Sequence, residues 1–403
     1  MEENLRILQL APRYPFPPDD GGKIGIANIT KQFKELGAEV TFFCYTDHTF
    51  PEPDLSLIDE YAEPLVYEHS TQNTYFRILK SLFSKESLYL SKHYNREIIA
   101  YLEAVVKSHD YNIIHADHSC MAPIATHLMK KFNIRGGLRL HNIEYMIWKR
   151  YADVLPPKSI KSLYSNSQAK KLMLDEAYYY SNFDVLFPIT RDDEVLAKQM
   201  SPQSKTVLAT AGVNPDEWIP DPNTVKIPRK LVLATTYHWR HNVDGVVWFI
   251  ENVMPKLKEK YPDVTLDLIG KEAPEKLSNY AHLGVNMIGY VDSVQQYLNQ
   301  SMINISPLFV GGGIRIKILE AMAMKLPIVA TSLAAEGIEA DESHGLFRCD
   351  NEDSFLQVIS QLFEDVPRIY SLGEEARELI IEKYTWQKSV QKIYNTYVDL
   401  ITH

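Results

Sequence analysis

Short apolar runs alternate with longer amphipathic stretches along this chain, and the alternation runs through twice. In the first half the runs are Leu5–Leu10, Glu39–Cys44, Asn112–Ala116, Gly136–His141 and Asp184–Ile189. In the second half they are Lys230–Thr235, Val264–Gly270, Val285–Gly289, Met302–Ser306, Leu326–Thr331 and Gly345–Cys349. Helical spacing between them predicts helices at Ile24–Leu36, Asn95–Lys107, Ser162–Ser181, Asp244–Lys260, Val294–Gln300 and Ile314–Met324. Strands that alternate with helices imply an α/β chain with parallel sheets. The stretch Ala211–Lys230 holds four prolines and no amphipathic spacing, so it reads as a linker. Two series on one chain therefore imply two doubly wound domains. Each should bind ligand at the carboxyl ends of its strands.

A chain of 403 residues has the length for two or three domains. Its formal net charge of −10 argues against a duplex nucleic-acid binder. Cys44, Cys120 and Cys349 form no CxxC pair, which indicates neither a disulfide framework nor a zinc site. A reducing, cytoplasmic setting is expected. The opening MEENLRILQLAPRYP lacks the pattern of a signal peptide, and no window approaches 18 consecutive apolar residues.

The stretch PLFVGGGIRIKILEAMA, Pro307 to Ala323, carries the most chemistry. An apolar strand leads into Gly311, Gly312 and Gly313, and a helix follows. Glycines let backbone approach a ligand closely, and unpaired amides at a helix start suit a phosphate. Arg315 and Lys317 are cations at a helix start, where the macrodipole favours negative charge; facing a diphosphate, they are no longer misplaced. Glu320 lies three residues beyond Lys317, and a carboxylate there can accept two hydrogen bonds from a vicinal diol such as a ribose. The plainer alternative is a buried glycine turn with an ordinary Lys317–Glu320 pair. No Asp-x-Asp occurs anywhere, so no metal is expected in the site.

With GI at Gly337–Ile338, PLFVGGGIRIKILEAMAMKLPIVAT resembles the donor motif of retaining GT-B glycosyltransferases, family 4, in its triple-glycine subgroup. The likeness extends over most of the chain. APRYPFPPDDGGKIGIANITKQFKELGAEVTFFC is similar to the family's first strand, glycine loop and helix. LRLHNIEY looks like its central His segment, and VNMIGYVDSVQQYLNQSMINISPL, which includes Val291, like the run lining its base pocket. YTWQKSVQKIY looks like the closing helix. The resemblance implies two Rossmann-like domains facing an interdomain cleft. They are residues 1–212 on the acceptor side and 213–384 for the nucleotide sugar, with 385–403 packing back on the first domain.

By that resemblance Glu320 holds the ribose, Gly21 and Gly22 border the donor phosphates, and His141 lies near the anomeric carbon. Arg240, Arg315 and Lys317 share the phosphate charge. Two departures stand out. The first Glu of the family's E-x7-E falls at Gly312, and Asn242 stands where a Lys is common. The activity implied is transfer of a sugar from a UDP- or GDP-sugar donor to an acceptor hydroxyl, with retention and without a metal or cofactor. The acceptor would be a glycan or lipid-linked glycan. Arg77, Lys80, Lys85 and Lys92 interleave with aromatics and leucines in Tyr75–Tyr94, a mixture that can lie on an anionic membrane or simply cover the first sheet. A nucleotide-sugar 2-epimerase and a binding protein without turnover stay open as alternatives. A dinucleotide dehydrogenase is a weaker alternative still, because no G-x-G-x-x-G follows the first strand.

Overall fold

The computed structural model describes residues 4–47 and 52–402. Residues 1–3 of the N-terminal stretch lie outside the described residues. The chain divides into two compact units, one of Met1–Thr210 with Trp386–His403, the other Ala211–Thr385.

The first unit is built on strands β1 (Arg6–Leu10), β2 (Glu39–Thr46), β3 (Glu63–Glu68), β4 (Ile113–Asp117), β5 (Arg135–Leu140) and β6 (Val185–Pro188). They form one parallel sheet in the order β3-β2-β1-β4-β5-β6. Helices cover both faces, so alternate residues of each strand enter different cores. Ile7, Phe42, Ile113 and Phe187 enter one; Leu8, Phe43, Ile114 and Leu186 enter the other. Strand β3 is not among the expected strands. It is an edge strand with no buried residue, and its sequence EPLVYE carries a proline and two charges, so it lacks an apolar run.

The C-terminal helix Trp386–Thr402 belongs to the first unit, where Val390, Ile393 and Tyr397 join the core. Two consecutive glycines in β5 make room. A β-carbon on Gly137 would lie 2.5 Å from the Tyr397 hydroxyl and 2.6 Å from the Phe187 ring. Tyr397 in turn lies 2.6 Å from Nδ1 of the buried His115.

The second unit holds β7 (Lys230–Ala234), β8 (Thr265–Ile269), β9 (Val285–Gly289), β10 (Ile303–Ser306), β11 (Ile328–Ala330) and β12 (Leu346–Arg348). Its parallel order is β12-β11-β10-β7-β8-β9. Both sheets therefore run outward from their first strand and restart on its other side. The order reverses between β1 and β4 and between β7 and β10, and ligands of open α/β sheets bind beside such points.

Several helix bounds differ from expectation. The single helix expected at Asp244–Lys260 is two, Arg240–Asn252 and Met254–Lys260. Pro255 sits in the first turn of the second helix, where a missing amide is tolerated but cannot continue a helix from before it. The helix expected from Ile314 starts at Ile316, and the one expected from Ile24 starts at Gly21.

Candidate functional site

In the second unit the loop after β10 and the helix after β7 flank the switch point. They touch through Gly245, where a β-carbon would come within 1.8 Å of the Pro307 carbonyl oxygen. Within the loop Gly311 has φ 139° and Gly313 φ 76°, conformations that residues with a β-carbon avoid. Arg315 Nη1 donates to the Gly312 carbonyl at 2.6 Å, so its guanidinium folds onto the loop that precedes it. Among the described residues, the amides of Gly312 and Gly313 enter no backbone hydrogen bond.

The helix Ile316–Ala323 follows, with Arg315 as its N-cap residue and no side-chain cap. Lys317 Nζ lies 2.9 Å from Glu320 Oε2. The pair is asymmetric, because Lys317 is half-exposed and Glu320 buried. Burial raises the pKa of Glu320 against the opposing pull of Lys317. His241, near the start of the β7 helix, has its pKa lowered by burial and then by the charge of Arg315, which marks the two segments as neighbours.

Arg240 is 94% exposed and 3.8 Å from Asp244, so it points into water at the first turn of its helix. Asn242 donates to the Thr236 carbonyl at 2.8 Å and tightens the turn leading from β7. Val291 is half-buried in the coil that follows β9.

The first unit presents a denser arrangement at its own switch point. Asp117 ends β4, and the strand register sets it opposite Arg139 of β5. Its buried carboxylate accepts from His141 Nε2 at 2.6 Å, Arg139 Nη1 at 3.4 Å and Gln9 Nε2 at 3.2 Å. Thr30 donates to Gln9 at 3.0 Å and extends the network into the first helix. Gly25 of that helix leaves room, since a β-carbon would lie 3.2 Å from Arg139 and 3.4 Å from His141. The His118 ring stacks on His141 at 3.6 Å, and its backbone holds φ 142°, unusual for a residue with a side chain. His118 Nε2 is enclosed without a partner among the described residues.

Burial depresses the pKa of His141 to about 4, helped by the Arg139 charge and opposed by Asp117. Burial would raise Asp117, but the hydrogen bond from His141 and the charges of His141 and Arg139 hold it well below the usual carboxylate range. At neutral pH the cluster thus holds an anionic Asp117 and a neutral His141, whose Nε2 lies between the Asp117 carboxylate at 2.6 Å and Arg139 Nη1 at 2.5 Å.

Gly21 and Gly22 form the first turn of a helix and not a loop. Asp20 caps it, accepting from Gly22 N at 2.9 Å and Lys23 N at 3.0 Å, while Arg13 pairs with the same carboxylate through both terminal nitrogens. These amides are already taken by Asp20. Glu144, beside the His segment, is buried among Tyr89 and Asn142, and burial pushes its pKa up to about 7.

Sequence reasoning found His141 by its place at a strand end. It missed Asp117, Arg139, His118, Arg13 and Asp20. One signal was present: the run IIHADHS places an acid and a histidine together where an apolar strand ends.

Two doubly wound parallel-sheet units, one with a glycine loop at its switch point, define a GT-B architecture. Solved structures agree over the full length. Sucrose-phosphate synthase from Thermosynechococcus elongatus matches with TM-score 0.74 at 15% identity, covering 99% of this chain and 100% of that one. HepE of Anabaena in complex with UDP and glucose matches with TM-score 0.66 at 14% identity, covering 98% and 99%. At such identities the likeness is one of fold. Residues 228–365, which contain the glycine loop and Glu320, match a family described as glycosyl transferases group 1. A Klebsiella pneumoniae protein described as an uncharacterized 44.6 kDa protein in cps region is 21% identical over 421 residues, covering 96% of this chain and 99% of its own. Together these findings support a GT-B glycosyltransferase.

Proposed function

We propose that the protein moves a sugar from a nucleoside diphosphate sugar to an acceptor hydroxyl, with the second unit holding the nucleotide beside β7 and β10. The observation that carries this is the half-buried loop Gly311–Gly313, in which, among the described residues, the Gly312 and Gly313 amides enter no backbone hydrogen bond, directly before the helix bearing Lys317 and the buried Glu320. A diphosphate fits such amides, and Lys317 adds a charge. Glu320 is desolvated and, among the described residues, has one cationic partner, Lys317, so it retains acceptor capacity for a ribose diol.

As the glycosidic bond breaks, negative charge grows on the leaving diphosphate. Loop amides that face it would stabilise the transition state more than the ground state. With glycine at 312, no side-chain carboxylate of the loop can serve as base. Retention with a phosphate oxygen taking the acceptor's proton, without a metal, is the version we favour. His141, held by its hydrogen bond to Asp117, is the residue we favour for contact with the sugar. UDP is the nucleotide we favour, because HepE of the same fold binds it. The cps-region relative supports a role in polysaccharide assembly, with a glycan or lipid-linked glycan as acceptor.

A binding protein without turnover is the second reading. It is favoured by Arg315 folding onto its own loop and by Asp20 occupying the Gly22 and Lys23 amides. Titration calorimetry with UDP, followed by product analysis with UDP-sugars, tests both. Glu320→Gln should weaken UDP roughly 10- to 100-fold, the range for a lost hydrogen bond to a charged group. His141→Ala should keep UDP affinity and lose turnover. Unchanged UDP affinity in Glu320→Gln would remove the nucleotide assignment. Binding without product in the unaltered protein, across donors and acceptors, would favour the second reading.

A further inference from the structure

The helix Tyr75–Phe83 turns its apolar side away from the protein. Tyr75, Phe76, Leu79, Leu82 and Phe83 are 50–94% exposed, and their spacing puts all five on one face. The opposite face is the anchored one. Ser81 is buried against the long helix Ile160–Tyr180, its hydroxyl 2.9 Å from Tyr164 Oη and 3.3 Å from Gln168 Nε2. Lys171 Nζ donates to the Ser81 carbonyl at 2.6 Å. Surface helices of globular proteins normally show the reverse pattern, with the apolar stripe inward. The sequence alternative, an amphipathic helix that covers the sheet, holds only for the next segment, where Leu88 and Leu90 are buried. Exposed apolar surface continues on the long helix, where Ile160 and Leu163 stand beside Tyr164.

Charge says what covers this face. Residues 69–85 contain Arg77, Lys80 and Lys85 and no Asp or Glu. Residues 154–174 contain Lys158, Lys161, Lys170 and Lys171 and likewise no Asp or Glu. The chain as a whole carries −10, so positive charge is gathered here against the overall sign. A second copy of the chain, paired through the same face, would set these cations against themselves.

We propose that this face docks on an anionic lipid bilayer. The helix Tyr75–Phe83 lies in the plane of the surface with Phe76 and Phe83 among the acyl chains, and the lysines meet lipid phosphates. Among the described residues no helix is long and apolar enough to cross a membrane, so the contact is made on the surface. This inference is independent of the donor chemistry.

The test is co-sedimentation of the full chain with vesicles of phosphatidylcholine alone or mixed with phosphatidylglycerol. Binding is expected only to the anionic vesicles and should fall as salt rises. Each cation held at such a surface is worth about fivefold in affinity, so Lys80→Glu/Lys85→Glu should lose at least about tenfold. Phe76→Ser/Phe83→Ser should lose a similar factor. The charge pair reads the same contact with no apolar side chain altered, and unchanged thermal midpoints separate either loss from unfolding. Three results would each overturn the proposal: no binding to either vesicle, equal binding to both, or a concentration-dependent dimer that Phe76→Ser/Phe83→Ser dissolves.

Discussion

Asp117 is where three donors converge on one buried carboxylate: His141, Arg139 and Gln9. Its anionic form is what allows Arg139 to be buried, and the guanidinium has a second favourable surface in the Trp386 ring, 5.7 Å away. Replacing Asp117 with Asn keeps the shape and removes the charge. The variant should lose roughly 3–5 kcal/mol of stability, the range for a buried cation left without its partner, measured by urea unfolding of the two proteins side by side. Loss below about 1 kcal/mol would mean that Arg139 finds other compensation. Nothing in the sequence ties residue 117 to residues 139 and 141. The link is made by the register of β4 on β5, which exists only in the folded sheet.

At the scale of elements, the buried strands were legible because parallel strands covered on both faces are nearly continuous apolar runs. The edge strand β3 was not, for it needs no such run. Helix starts were harder. Gly21, Gly22 and Lys23 look like a loop, yet an aspartate immediately before them supplies the cap that lets a helix begin on two glycines. The glycine loop of the second unit was legible as an irregular turn, while the inward fold of Arg315 was not, since residue order does not fix where a long side chain turns. Strand β5 gives a direct test of element packing. Gly137→Val would drive side-chain atoms into Tyr397 and Phe187. The expected loss is about 1–3 kcal/mol, typical of overpacking a core, with amide exchange rising in the helix Trp386–Thr402. Unaltered exchange there would show that the ring has other room.

For the molecule as a whole, buried titratable groups set the response to pH. Burial lowers His93 to about 3 and His115 and His141 to about 4, and holds His118 well below 6.5. The unfolded chain takes up protons at these four sites as pH falls below about 6.5 while the native state does not, so stability falls through that window. Glu144 and Glu176 act oppositely, because burial raises them to about 7 and about 8. The native state keeps those protons where the unfolded chain has lost them, so their contribution fades as pH rises toward 8. Between 4.5 and 6.5 four histidines outweigh two carboxyls. The melting temperature should therefore peak near pH 6.5, fall steeply toward 4.5 and decline gently toward 8; a scan that climbs through 8 would contradict this assignment. The return of the last helix to the first unit also orders events on the ribosome. Tyr397 meets His115 across 282 residues, and all of Ala211–Thr385 is synthesised before that helix emerges. At ordinary translation speed the nascent first unit waits roughly ten to thirty seconds with its Gly137 hollow unfilled. The lobe made first is thus the one completed last, and a holdase would find its client there.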